Sequence, residues 1–152
     1  MKRTSMALVA TALLAITGCG GGALSKSGYA AKADAICAVA NKKEAAAGAS
    51  GPGWFYGPAF NDAGFLKKFS APGQEAVRKL RALKPPAAER ARAAAMVTAI
   101  AKMVHAIDGR IADLRAGKGN ASDRAHAYLD GYSDLTPAAA VLGVSQCQGV
   151  SL

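Results

Sequence analysis

Between Ala87 and Ala116 the aliphatic side chains recur with a helical step. Val97, Ile100, Val104, Ile107, Ile111 and Leu114 are spaced alternately three and four residues apart, with Met96 and Met103 beside them. Side chains at those intervals share one face of an α-helix, so the spacing predicts a helix with a packed a/d-type seam. Ala fills much of the remainder, as suits a strong helix former, and the Gly117-Lys118-Gly119 stretch stops it. The same alternation returns between Asn120 and Leu142, through Ala125, Tyr128, Tyr132, Leu135, Ala139 and Leu142. Asn120 or Ser122 is placed to cap its start. Pro137 falls inside it and lacks the N–H that the helix needs, so a kink or a break is expected there. The seam stays in phase across Pro137, which predicts little change of direction.

Two further segments carry weaker patterns. From Tyr29 to Ala47, apolar or small residues stand at Tyr29, Ala33, Ile36, Cys37, Ala40 and Ala47, with Asp34 near the start and Lys42 and Lys43 near the end, where they suit the helix dipole. From Asn61 to Lys84, Asn61 or Asp62 can cap a helix. Phe65, Leu66 and Phe69 line one face, and Ala76, Val77, Leu80 and Leu83 point inward further on. Ala71-Pro72-Gly73 is expected to kink or break this segment, and Pro85-Pro86 to end it, because a residue before proline is pushed out of the helical region. Four amphipathic helices with short joints and no alternating β-branched run predict an all-α protein. The expected architecture is an up-and-down four-helix bundle with one or two helices kinked or broken.

Trp54-Phe55-Tyr56, bracketed by Gly53 and Gly57-Pro58, heads a region that also contains Phe60, Phe65 and Phe69. Six of the nine aromatic residues of the chain fall in these sixteen positions. Two roles compete. The rings can cap one end of the helical core, with Phe65 and Phe69 one turn apart on one face. Alternatively Trp54, Phe55 and Tyr56 form a candidate binding loop or an interfacial membrane contact, a setting that favours aromatic rings.

Ahead of the helices, the chain is patterned differently. Lys2 and Arg3 precede a run from Met6 to Ile16 in which Thr11 is the one polar residue. That run is shorter than the ~20 apolar residues needed to span a bilayer, and a charged start, a short apolar core and small residues before a cut describe an export signal. Ile16-Thr17-Gly18-Cys19 resembles the lipobox of bacterial lipoproteins. The resemblance implies cleavage before Cys19 and lipidation of its thiol, with residues 1–18 a signal peptide, residues 19–28 a flexible Gly/Ser tether, and residues 29–152 the helical bundle domain. The expected address is the outer face of the cell membrane.

That address changes the reading of charge and of cysteine. The chain carries 19 basic and 10 acidic residues, a formal +9, of which Lys2 and Arg3 belong to the signal. Outside the membrane nucleic acid is a poor partner, and no basic motif with interleaved aromatics supports it. Anionic lipid headgroups, an envelope protein or a cell-wall polymer are the partners to expect, against a default of simple solubility. With Cys19 lipidated, Cys37 and Cys147 remain. An even pair in an exported domain points to a disulfide, here joining the N- and C-terminal parts of the bundle; the competing reading, a reactive thiol, has neither a Cys-x-x-Cys motif nor a nearby His behind it.

The lipobox, the Gly/Ser tether, Ala33-Asp-Ala-Ile-Cys37-Ala-Val-Ala-Asn41, Leu80-Arg-Ala-Leu83-Lys-Pro-Pro86 and Leu142-Gly-Val-Ser-Gln-Cys147 together resemble a group of small, Ala-rich helical lipoproteins and secreted proteins from high-GC Gram-positive bacteria. These motifs are structural: a cysteine pair, a Pro-Pro turn and a tail. The resemblance carries over no catalytic or binding residue.

Candidate chemistry is sparse. His105 and His126 both stand beside the seams rather than in them, and His105 with Asp108 could pair across one turn, but no third partner completes a triad or a zinc site. A di-metal bundle needs Glu-x-x-His, and none of Glu44, Glu75 and Glu89 precedes a His at that spacing. Met96 and Met103 read as core filler rather than haem ligands, and no phosphate-binding Gly loop occurs. No cofactor, metal or catalytic set is therefore expected. Three functions stay open: an interaction module using the basic face or the Trp54 loop; a small-ligand or lipid carrier with an apolar pocket near Phe60, Phe65 and Phe69; and, with least support, an enzyme.

Overall fold

The computed structural model describes residues 22–48, 57–119 and 122–148. They form an all-helical bundle of four α-helices, α1 (Lys26–Ala46), α2 (Ala63–Ala82), α3 (Arg90–Arg115) and α4 (Ser122–Leu142), with short 3-10 turns at Pro58–Asn61 and Ala87–Glu89. Each helix packs on the next in sequence. Along α3 and α4 the ion pairs Lys102 to Asp134 and Asp113 to Arg124 run in opposite order, as in antiparallel neighbours, and Lys43 to Glu75 ties α1 to α2.

Local signals set most of the boundaries. Ser25 caps α1 by accepting from the Gly28 N–H at 3.1 Å, so α1 starts inside the stretch 19–28 read from composition as tether. Asp62 caps α2, accepting from the N–H groups of Gly64 at 2.8 Å and Phe65 at 3.0 Å. Pro85 and Pro86 separate α2 from α3, whose far end turns at Gly117, in the left-handed region with φ 70°. At the end of α4, Gly143 has φ 73° and the Val144 N–H returns to the Ala139 carbonyl at 3.0 Å, a glycine-capped helix end.

Both internal prolines sit within unbroken helices, so of the two outcomes expected at Ala71–Gly73 and at Pro137, the break does not occur. A proline in a helix interior costs about 3 kcal/mol. In α2, Leu66 and Phe69 before Pro72 and Ala76 and Leu80 after it are all buried along one stripe. Each large apolar side chain gains about 1.5–3 kcal/mol on burial, and both halves gain it only if the stripe stays in phase, so packing outweighs the proline.

The core follows the predicted seams and widens them. On α3, Val97, Ile100, Ile107 and Ile111 are buried, and so are Ala93, Ala99 and Ala106, since α3 packs on α2 along one side and on α4 along another. On α4, Gly131 takes a core position while Tyr132 is only half-buried. A Cβ at Gly131 would lie 2.7 Å from Met103 Cγ and 3.1 Å from two main-chain atoms of α3, Ala99 O and Met103 N. Met103 can swing aside but the backbone cannot. Gly131→Ala should therefore destabilise by about 1–2 kcal/mol, the cost of overpacking exceeding the ~1 kcal/mol that Ala gains over Gly in a helix. Urea unfolding of the variant measures this, and a higher midpoint would mean that α3 and α4 have room to part.

Cys37 in α1 and Cys147 in the tail form a disulfide with their Cα atoms 5.0 Å apart, joining the N- and C-terminal parts as expected. The tail is seated besides: the Gln146 N–H donates to Asp34 Oδ1 at 2.6 Å, Asn41 Nδ2 donates to the Gln146 carbonyl at 2.8 Å, and Val144 is fully buried.

Candidate functional site

The most distinctive chemistry lies inside the bundle. Cys37, Ala40 and Glu44 are spaced three and four residues apart on α1, so the stripe that buries the first two carries the Glu44 carboxyl inward as well. Glu44 is 4% exposed and its Oε2 has no hydrogen-bond partner among the described residues. It faces a void of about 30 Å³ lined from all four helices, by Phe69, Ser70 and Gly73 of α2, Val104 of α3 and Tyr128 of α4 among others. Gly73 brings α2 close to α3 there, for a Cβ at that position would lie 2.8 Å from Val104 Cγ2 and 3.7 Å from Glu44 Oε1. Burial raises the Glu44 carboxyl to about 7, well above the ordinary carboxylate range. Tyr128 is likewise raised, by burial first and by the nearby Glu44 charge second. A void of that size holds one or two waters at most.

Two polar knots flank the void. Asp108 of α3 accepts from Ser70 Oγ at 2.5 Å and from Gln74 Nε2 at 2.9 Å, tying α3 to α2. The one-turn pairing considered for His105 and Asp108 is therefore replaced by bonds between helices; His105 and His126 are both exposed. Nearer the α3–α4 connection Arg110 is 1% exposed, donates to the carbonyls of Phe60 at 3.2 Å and Lys118 at 3.1 Å and to Asn61 Oδ1, and its guanidinium lies 5.9 Å from the centre of the Phe60 ring. It closes that end of the core by satisfying carbonyls that the 3-10 turn and the helix end leave open.

Of the residues singled out from sequence, Cys37 and Cys147 are brought together. Cys19 and the loop Trp54, Phe55 and Tyr56 lie outside the described residues. Phe60, Phe65 and Phe69 pack at one end of the core, Phe65 and Phe69 with rings 6.3 Å apart and nearly parallel, as the end-capping reading expects. Sequence reading assigned nothing to Glu44 or Arg110. The signal for Glu44 was present: the stripe on α1 skips from Ala40 to Ala47, and residue 44 is the missing helical position. Arg110 also had a positional signal, three residues after Ile107 and seven after Met103 on the same stripe, but its charge argued against an interior place, and only the 3-10 turn lying over it supplies the acceptors that an interior guanidinium needs.

Among the described residues no group of three or more His, Cys, Asp and Glu is placed to hold a metal ion, and no helix is long and apolar enough to cross a membrane. No protein-family model, curated protein or solved structure matches the chain.

Proposed function

We propose that this chain is a lipid-anchored extracytoplasmic module, tethered at the outer face of the cell membrane through Cys19, that works by binding at the envelope and not by catalysis. The observation that carries the reading is the Cys37–Cys147 disulfide, which belongs to an oxidising compartment and agrees with the lipobox ending at Cys19. Binding is favoured over carriage near Phe60, Phe65 and Phe69 because ligand pockets run to about 300–1,000 Å³, while the void that Phe69 lines is about 30 Å³, Phe60 and Phe69 are buried in the core and Phe65 packs against it. Partners are sought outside the bundle, on the basic surface and at Trp54, Phe55 and Tyr56, and are an envelope protein or a cell-wall polymer.

Two measurements test this. Cells fed an alkyne-tagged palmitate should label the protein, and Cys19→Ser should abolish the label; labelling that survives the substitution removes the anchor at Cys19. A photocrosslinker at position 54 or 56 should then capture one defined envelope protein or wall fragment, identified by mass spectrometry. Capture of lipid alone would favour the carrier.

A further inference from the structure

The end of the bundle nearest the N-terminal segment is set by one backbone bond. The Leu24 N–H donates to the Lys84 carbonyl at 2.8 Å, and the Leu24 side chain packs on the core. The chain therefore leaves the bundle beside the connection between α2 and α3. From Leu24 back to Cys19 is five residues, a reach of at most about 18 Å. The opposite end, where α3 meets α4, lies the length of α3 away, about 39 Å for its 26 residues.

The near end is basic. Lys26, Arg81, Lys84, Arg90 and Arg92 cluster there, with Glu89 among them at 3.4 Å from Lys26 and 3.1 Å from Arg92. Arg81 and Arg90 are exposed, make no ion pair among the described residues, and stand on the rim of a cleft of about 280 Å³ whose floor includes Tyr29, Leu83 and Pro85. The far end differs: there Asp62, Asp113 and Asp123 stand among Lys67, Lys68, Arg115, Lys118 and Arg124, so the basic residues are more evenly balanced, and Arg124 is bridged to Asp113 at 2.9 Å.

We propose that this cleft seats anionic phospholipid headgroups of the membrane that anchors the chain, with the guanidinium groups of Arg81 and Arg90 taking the phosphate oxygens. A planar guanidinium presents two N–H groups that match a phosphate, and a lipid chain combined with a basic patch holds a protein to a surface better than either alone. The anchored reading of Cys19 supplies the orientation, and so the proposal rests on it there; the charge and the cleft do not depend on it. The bundle docks end-on at its α2–α3 connection, which leaves the α3–α4 end and the side faces of the helices for partners.

The test uses the chain from residue 19 onward, which retains every helix and the disulfide, with Cys19→Ser so that it carries no lipid. It is mixed at low ionic strength with vesicles of phosphatidylcholine, with or without phosphatidylglycerol. Binding is expected only where phosphatidylglycerol is present. At about five-fold per cation near an anionic surface, R81Q/R90Q should weaken it by roughly 10–30-fold, while K67Q/K68Q, on the other half of α2, should leave it unchanged. Thermal melting shows that both variants are folded. Equal losses in the two variants, or no loss in R81Q/R90Q, would overturn the proposal, as would competition by inorganic phosphate beyond that of sodium chloride at the same ionic strength, which assigns the cleft to a free anion. Failure of palmitate labelling with success here removes the anchor and upholds the surface; the reverse pair of results removes the surface alone.

Discussion

Reducing the Cys37–Cys147 disulfide, or replacing both cysteines by Ser, is expected to lower stability by about 4–5 kcal/mol, the chain-entropy value for a closed loop on the order of 110 residues. The sequence separation is 110, nearly the whole of the described bundle, so the crosslink constrains most of the unfolded chain. A domain of this size is stable by about 5–15 kcal/mol in all, and at about 3–5 °C per kcal/mol the melting temperature should fall by roughly 12–25 °C. Circular dichroism melts with and without reductant, together with the double variant, measure it. The tail after Gly143 should loosen first, since without the disulfide it is held by buried Val144 and the bonds to Asp34 and Asn41. An unchanged melt would mean that the stability of the bundle does not depend on closing this loop.

Glu44 should make the protein less stable as pH rises, against the usual trend for carboxylates. In the unfolded chain this carboxyl ionises near 4.5, whereas in the folded protein burial holds its proton to about 7. Between those values unfolding releases a proton, so the unfolded state gains with pH. The protein keeps its full stability below pH 4.5, loses it progressively from 4.5 to 7, and above 7 stands lower by about 3 kcal/mol, at 1.36 kcal/mol per pKa unit. Glu75 acts in the opposite direction: hydrogen bonds and charge from Lys79 and Lys43 hold it down to about 2, so its contribution is lost only as pH falls from about 4.5 through 2. The two windows do not overlap, and the fall from 4.5 to 7 belongs to Glu44. Glu44→Gln keeps the shape and removes the charge. It should flatten the profile across that window and raise stability at pH 8 by about 2–3 kcal/mol. Guanidinium unfolding at pH 5 and pH 8, wild type beside variant, decides it; a wild type equally stable at both would mean that the ionised carboxylate is compensated in the folded state.

The helices were legible because periodicity is a local property. The three-four spacing of Val97 through Leu114 and of Ala125 through Leu142 marks which face of each segment must leave water, whatever it packs against. The cap at Asp62, one of two candidates with Asn61, and the stop at Gly117 were legible for a related reason, since each serves backbone groups a few residues away. Where sequence reasoning left two outcomes open at Pro72, the competition was between a local cost and a non-local gain, and the pattern alone does not weigh one against the other.

The interior polar groups stood on the predicted stripes, but their residue types masked them. A lone Glu at position 44 of a basic, Ala-rich helix reads as surface, and so does Arg110. Glu44 is buried because α2, α3 and α4 close over the stripe it shares with Cys37 and Ala40, and Arg110 because the turn at Phe60 and Asn61 offers it acceptors. Both depend on segments distant in the chain, α2 to α4 for Glu44 and a turn 49 and 50 residues away for Arg110.

By itself, then, the sequence determined that the domain is all-α, roughly where its four helices run, and that Cys37 and Cys147 make an even pair, because spacing and parity are written along the chain. The tertiary structure alone decided that Pro72 continues its helix, that Glu44 and Arg110 are interior, and that the N-terminal segment leaves beside the basic α2–α3 connection. Each of these is settled by which groups meet across the bundle, where burial and hydrogen bonding between distant residues outweigh the preferences of any one segment.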